Sequence, residues 1–532
     1  MSSTLWKRLE QNAAEHPDKA AFIFLHGDDW ETVTFGQVLD LSNRLARGLQ
    51  ACGLSSGMRA ALMIPPSIEF FGLAFALLKT GIIPVITDPA IGLQKVTECL
   101  KESEPEIFIG NTLTHALCFI YGWGRGTIRH NLTIARLLHF TNHMISNSSP
   151  KTQYTPVNHA AIIYTSGSTG LPKGVVYTHE NFAAQLDLLV KTFNIQPDEV
   201  DLPAFPLYAL IDALIGVTAV IPDIHFPVPS KIDAARTLLA IQEQGVTNIF
   251  ASPIMLDRLA TYGTKHAIKL PGLKRVITAG APAPFQVQEK FWKLLSDDAN
   301  LFGIYGATET LPISIIESRE IFEDTRCKSV KGAGVCIGRP VNGATVRIIK
   351  ICDEPILQWD KSIELPVNQI GEITVKGKAV TKEYVARRDA NQLAKIDDCG
   401  EIVHRMGDVG YFDEQGRLWY CGRKSHRVIL GQETYFTETI EGIFNAHPLV
   451  YRTALVGVSG TPVLWVELEP EAKKVDKAKI KLELTGLSAN HPQASKIKTF
   501  LFINKFPTDV RHNSKIIREK LTTLARQRIS IS

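Results

Sequence analysis

Apolar residues along this chain recur at two spacings, and the spacings alternate. Thr34-Phe-Gly-Gln37 has the form of a capping box, and Val38, Leu41, Leu45 and Leu49 then follow at helical intervals up to Gly53, which predicts a helix closed by glycine. Arg59-Ala-Ala-Leu-Met-Ile64 is a short apolar run suited to a buried strand, Pro66 suits a helix start, and Ile82-Ile-Pro-Val-Ile-Thr87 is the next strand. The same strand signal returns at Ala160-Ala-Ile-Ile-Tyr164, Thr247-Asn-Ile-Phe-Ala251, Lys274-Arg-Val-Ile-Thr-Ala279 and Asn300-Leu-Phe-Gly-Ile-Tyr305, each expected to lead through a turn into a helix. Alternation of this kind predicts an α/β fold with mostly parallel, helix-covered sheets.

Past about residue 340 the texture changes. Ala344-Thr-Val-Arg-Ile-Ile349, Gly371-Glu-Ile-Thr-Val-Lys376 and Arg417-Leu-Trp-Tyr-Cys421 are short runs between turn residues, which predicts a small antiparallel unit over 340–422 within a large N-terminal domain of residues 1–422. Gly422-Arg-Lys-Ser425 reads as a junction. A helix near Glu438–Phe444, strands at Thr453–Val458 and Leu464–Leu468 and a basic tail then predict a small, mobile α+β C-terminal domain over 423–532, which carries Lys515.

Composition narrows the function. With 532 residues and 45% apolar content the chain needs more than one core, and its 58 basic residues nearly balance 54 acidic ones, so no net field draws it to nucleic acid. The eight cysteines show neither Cys-x-x-Cys pairs nor zinc-ligand spacing, which fits free thiols in a reducing compartment. The first ten residues lead into no apolar signal core, and Pro65, Pro66, Glu69 and Lys79 break the oily stretch from Ala60 to Ile86, which reads as strand, helix and strand rather than a membrane span. A cytoplasmic location is expected. Gly53-Leu-Ser55-Ser-Gly57 matches G-x-S-x-G but sits between a helix and a strand, the reverse of a nucleophile elbow. Gly332-Ala-Gly334 with Gly338 misses the dinucleotide spacing.

One loop carries chemistry. The strand ending at Tyr164 runs into Thr165-Ser166-Gly167-Ser168-Thr169-Gly170 and then Leu-Pro-Lys173. Glycines let backbone N–H groups turn inward, hydroxyls add donors and the lysine adds a point charge, so the segment suits a polyphosphate. Walker spacing fails, because Gly167 and Gly170 stand three apart and Gly174 follows Lys173.

This loop resembles the phosphate loop of the adenylate-forming superfamily of acyl-CoA synthetases, adenylation domains and luciferases, and further family motifs follow in order. They are Gly280-Ala281-Pro282, Tyr305-Gly306-Ala307-Thr308-Glu309, Gly338-Arg-Pro340, Gly407-Asp408, Gly422-Arg423 and Lys515. The resemblance implies ATP and Mg²⁺ as cofactors and acyl-AMP formation as the chemistry. Gly280, Ala281, Pro282 and Tyr305 would hold adenine, with Gly306, Ala307 and Thr308 lining the nucleotide, and Glu309 would be the hard oxygen ligand for Mg²⁺. Asp408 and Arg423 would hold the ribose, Met406 standing where a threonine is usual. Lys515 would bridge the carboxylate and the α-phosphate, so Lys515, Glu309 and Thr165 are the expected catalytic residues.

Departures from the common acyl-CoA synthetase pattern point to a branch. Ala209 in Phe205-Pro-Leu-Tyr-Ala209 replaces a frequent histidine, Ser425 an acidic hinge residue, and Thr437 and Thr439 a proline and a glutamate, while no lysine stands near Ile429. With Asp88-Pro-Ala-Ile-Gly92, Val220-Ile-Pro-Asp223, His404-Arg-Met-Gly-Asp408 and Val510-Arg-His-Asn513, these segments resemble the β-lactone synthetases of bacterial long-chain olefin biosynthesis over nearly the whole chain. That resemblance implies a long-chain 2-alkyl-3-hydroxy acid as substrate, whose own hydroxyl displaces AMP, and association with the pathway's reductase and lactone decarboxylase. A long-chain acyl-CoA or acyl-AMP ligase is the alternative within enzymes, separated by consumption of CoA. A non-catalytic nucleotide-binding subunit is the alternative outside them, opposed by the joint presence of Glu309, Asp408 and Lys515. Leu207, Ile211 and Gly303-Ile304 are candidate acyl-pocket residues.

Overall fold

The computed structural model describes residues 5–27, 29–144, 157–164, 171–222, 232–508 and 515–529. A nine-stranded sheet runs in the order Arg339–Pro340, Thr310–Glu317, Asn300–Ala307, Arg275–Thr278, Asn248–Ala251, Val200–Pro203, Thr218–Ile221, Ala20–His26, Asp29–Thr34. Its six middle strands are parallel and its edges antiparallel. A second sheet has six strands in the order His130–Leu132, Ile107–Gly110, Arg59–Met63, Ile83–Ile86, His159–Tyr164, Gly174–Thr178, parallel except for the last pair.

The helices between the two sheets form as their residues dictate. Thr34 accepts from the Gln37 N–H and Gln37 in turn bonds the Thr34 N–H, so the capping box opens Phe35–Ala51, and Gly53 follows its end at φ +76°. The next helix, Ile68–Thr80, is capped by Ser67 rather than opened by Pro66, since the serine hydroxyl accepts from the Phe70 N–H. Nearly every residue of that helix is buried, as expected of an apolar element with a sheet on either side. Phe71 stacks on Phe22 of the first sheet at 4.3 Å, and both belong to a core that also holds Leu62 and Ile109 of the second. Strand, helix and strand thus occupy the oily stretch, as its interruptions predicted.

Two strands expected to lead into helices turn back instead. Asn300–Ala307 returns as Thr310–Glu317, whose β-branched alternation suits a strand, and the partner of His159–Tyr164 is the antiparallel Gly174–Thr178. In both cases the sequence between the paired strands carries candidate site residues.

The antiparallel unit is a sheet of Val335–Cys336, Leu418–Arg423, Glu401–Phe412, Gly371–Lys376 and Thr345–Ile349, with Lys395–Asp398 paired to Glu401–Phe412. Gly338 joins it to the first sheet: at φ +77° a Cβ here would lie 1.8 Å from the Ile315 carbonyl oxygen, so only glycine lets Arg339–Pro340 pair with Ser314 and Ile315. Beyond Arg423 a three-stranded sheet, Val450–Val458, Thr461–Leu468 and Thr499–Ile503, packs with helices Thr437–Phe444, Lys477–Ser488 and Arg518–Ile529 around cores of its own. The eight cysteines form no disulfide, and among the described residues no helix is long and apolar enough to cross a membrane.

Candidate active site

In open α/β sheets ligands bind beyond the carboxyl ends of the parallel strands, and the candidate residues gather there. Arg275–Thr278 and Asn300–Ala307 are in register with Thr278 opposite Gly303, which carries Gly280 to the level of Tyr305. Gly280 sits at φ +91°, so the chain turns outward where Ala281 and Pro282 follow.

Tyr305 donates its hydroxyl to Asp408 Oδ2 at 2.7 Å. Asp408 and Arg423 are cross-strand partners, and Arg423 Nε lies 3.2 Å from Asp408 Oδ1 while its Nη1 donates to the Met406 carbonyl at 3.3 Å. Burial pushes the Asp408 carboxyl up from its ordinary range, against the pull of Arg423, the Tyr305 hydrogen bond and the charge of Lys515. Lys515 is therefore near enough to act on Asp408 from the C-terminal unit. Asp408 Oδ1 is buried and, among the described residues, accepts no hydrogen bond. A buried carboxylate oxygen with lone pairs left over fits a hydroxyl-bearing ligand such as a ribose.

Glu309 stands in the turn after Ala307 and is 9% exposed. Tyr384 donates its hydroxyl to Glu309 Oε1 at 2.6 Å. Two ammonium groups face the same ring, Lys173 Nζ at 4.9 Å and Lys395 Nζ at 5.4 Å from its centroid. Lys395 is buried, donates to the Thr381 carbonyl at 2.6 Å, and is pushed down to about 7 by burial against the attraction of Glu309, with Lys173 adding to the depression. Burial works to raise Glu309, but His404, the Tyr384 hydrogen bond and Lys395 outweigh it and hold the carboxyl below its usual range. His404 itself is pushed down to about 3 by burial and by Lys395, so at neutral pH its ring is uncharged, and the Tyr384 hydrogen bond and Lys395 hold Glu309 ionised. An ionised, acceptor-only carboxylate fits Mg²⁺, which keeps waters and phosphate oxygens and needs only one or two protein ligands.

Lys173 and Glu309 thus share one cluster, and Tyr305, Asp408, Arg423 and Lys515 a second. Thr308 meets the first by accepting a hydrogen bond from the Tyr177 hydroxyl, and Gly306 and Ala307 lie on the strand between Tyr305 and Glu309. Thr165, Ser166, Gly167, Ser168, Thr169 and Gly170 lie outside the described residues, as do Asp223 and Val510–Asn513. Tyr384 and Lys395 match no motif spacing and were missed. Only the run His404-Arg-Met-Gly-Asp408 gave a signal nearby.

The departures are accommodated. Ala209 is fully buried in the core, with its neighbour Tyr208 stacked on Phe250 at 4.0 Å, while Leu207 and Ile211 are partly buried beside it. Thr437 is packed against Gly422, whose φ of +126° and lack of a Cβ permit the approach of Thr437 Oγ1. Ser425 lies in a single 3₁₀ turn, and the preceding Lys424 donates to the Cys352 carbonyl at 2.7 Å and pairs with Glu372 at 3.1 Å.

Comparison with known proteins defines the family. The AMP-binding enzyme family profile matches residues 9–385, so the chain belongs to the AMP-binding enzyme family. It is 41% identical over 516 residues to an olefin beta-lactone synthetase of Xanthomonas campestris pv. campestris, covering 93% of this chain and 91% of that protein. It is likewise 41% identical to an olefin beta-lactone synthetase of Stenotrophomonas maltophilia, with the same coverage. Among solved structures, the O-succinylbenzoate coenzyme A synthetase of Bacillus subtilis, in complex with ATP and magnesium ion, superposes with a TM-score of 0.76 at 22% identity, over 97% of this chain and 98% of that one, a likeness of fold.

Proposed function

We propose that this protein is an AMP-forming ligase that activates a long-chain 2-alkyl-3-hydroxy acid with ATP and closes the product to a β-lactone. The convergence of Tyr305, Arg423 and Lys515 on the buried Asp408 carboxylate carries the first half. The 41% identity to olefin beta-lactone synthetases over most of the chain supports the second.

Each group then has a task. Asp408 and Arg423 take the ribose hydroxyls, Tyr305 with Gly280, Ala281 and Pro282 takes the adenine, and Thr165 to Gly170 with Lys173 takes the phosphates. Glu309 holds Mg²⁺, which supplies charge neutralisation of the phosphate oxygens when bound. Residues 423–532 act as the unit that delivers Lys515, whose ammonium offsets the repulsion between substrate carboxylate and α-phosphate. A carboxylate oxygen attacks the α-phosphorus and diphosphate leaves. The 3-hydroxyl oxygen then attacks the acyl carbon and loses its proton to solvent, the acyl C–O bond to the phosphate breaks, and AMP departs keeping the O–P bond formed in the first step. Intramolecular attack gains from proximity, with effective molarities of roughly 10⁵–10⁸ M in unstrained systems and far less for a four-membered ring. The same resemblance supports association with the pathway's reductase and lactone decarboxylase as part of this reading.

The test is product analysis after incubation with ATP, Mg²⁺ and the hydroxy acid, with and without CoA. Lactone, AMP and diphosphate in equal amounts without CoA are expected. A thioester that appears only when CoA is added, with no lactone in either case, would instead assign an acyl-CoA ligase.

A further inference from the structure

The helix Thr112–Tyr121 is apolar on its outward side as well as on the side that packs inward. Its inner face is fixed: Asn111 and Thr114 form a capping box, Leu117 and Cys118 pack on the core of the second sheet, the His115 ring meets the Leu132 carbonyl at 3.0 Å, and Gly122 closes the end at φ +64°. Its outer face carries Leu113, 67% exposed, Phe119, 89% exposed, and Ile120, 71% exposed, with Tyr121 at its end. A soluble surface normally puts charged side chains at such positions, and contiguous exposed apolar groups mark an interaction site.

Charge identifies the occupant. No aspartate or glutamate stands anywhere between Glu106 and Glu180, whereas Arg125 and Arg129, just past the helix, are exposed, and Arg136 is exposed over the Phe140 ring. The neighbouring helix Leu93–Ser103 offers Lys95 and Lys101 against Glu98 and the following Glu104, while its Glu102 is paired with Arg387 at 2.6 Å, so it adds no net field. We propose that this face docks on an anionic lipid bilayer, with Leu113, Phe119 and Ile120 entering the headgroup boundary and Arg125 and Arg129 meeting lipid phosphates. Projecting aromatic and aliphatic side chains bordered by arginine suit an interfacial helix. A stable protein partner needs about 800 Å² on each side, more than the outer face of one helix about 15 Å long provides. The inference does not depend on the reaction proposed above.

The test uses the full chain and sedimentation with vesicles of phosphatidylcholine alone or mixed with phosphatidylglycerol. Binding to the phosphatidylglycerol vesicles that weakens with salt is expected, with about a tenfold loss in a Leu113→Ser, Phe119→Ser, Ile120→Ser variant and a comparable loss in Arg125→Glu, Arg129→Glu. The Phe119→Trp protein should shift its emission to the blue on addition of those vesicles, and ATP–diphosphate exchange without vesicles should be unchanged in every variant. No vesicle binding, binding unaffected by the triple substitution, or an oligomeric state that the triple substitution abolishes would each overturn the proposal, the last by assigning the face to a second copy of the chain.

Discussion

Two arginine–carboxylate pairs, each with a buried member on the strand Glu401–Phe412 and those members three residues apart, are built to opposite ends. Arg405 and Glu372 are each 1% exposed, and Arg405 meets Glu372 through Nε at 3.2 Å and Nη2 at 2.6 Å. The remaining donors of Arg405 reach the carbonyls of Cys352 and Glu354, and Lys424 adds a second cation to Glu372. Every group is matched, so the cluster is closed. Asp408 and Arg423 are paired through one contact, Arg423 is 37% exposed, and Asp408 Oδ1 keeps an unused acceptor. A complete set of partners makes a buried charge part of the scaffold, and an incomplete set leaves it for a ligand.

Substitutions should separate the two kinds. The largest effect is expected from Lys515→Ala, which should lower ATP–diphosphate exchange on the order of 10³-fold while thermal unfolding is unchanged. Next, Glu372→Gln should destabilise the protein by about 3–5 kcal/mol, read from denaturant unfolding, because it leaves Arg405 buried without its counter-charge. Asp408→Asn should do the reverse, leaving stability level or improved, since burial already disfavours that carboxylate, and lowering kcat/KM for ATP by about tenfold to a hundredfold. If Asp408→Asn unfolds the protein and Glu372→Gln only slows it, the comparison fails. Tyr384→Phe removes one hydrogen bond to a charged carboxylate and should raise the Mg²⁺ requirement about tenfold.

The smallest effect concerns pH. Lys395 is pushed down from 10.5 to about 7 in the folded protein. Between those values the unfolded chain binds a proton that the folded lysine has released, so this group makes stability rise with pH across that window and contributes no slope below about 7. Loss of the ammonium removes a charge that steadies Glu309, so kcat/KM for ATP should fall above about pH 7, and Lys395→Arg should move that limb to higher pH.

The fold was legible because hydrophobic period and turn residues agree over most of the chain, as at Thr34–Gly53 and Arg59–Ile86. It was misread where the chain returns as an antiparallel strand, between Tyr164 and Gly174 and between Ala307 and Thr310, since the residue pattern there fits a helix entry as well as a hairpin. In the site, Asp408, Glu309 and Tyr305 were legible because backbone-bound motifs surround them. Tyr384 and Lys395 were not, because what gives them their character is the burial and mutual charge that only tertiary packing creates. The same packing separates Arg405 from Arg423, two arginines that look alike in sequence.

The central claim is that a carboxylate oxygen is passed to AMP and that the hydroxyl oxygen stays in the product. Supplying the 2-alkyl-3-hydroxy acid with ¹⁸O in its carboxylate, together with ATP and Mg²⁺ but no CoA, tests it most directly. One ¹⁸O in each AMP and one retained in each lactone, by mass spectrometry, is the predicted result. Unlabelled AMP, or label recovered in phosphate or diphosphate, would contradict the account.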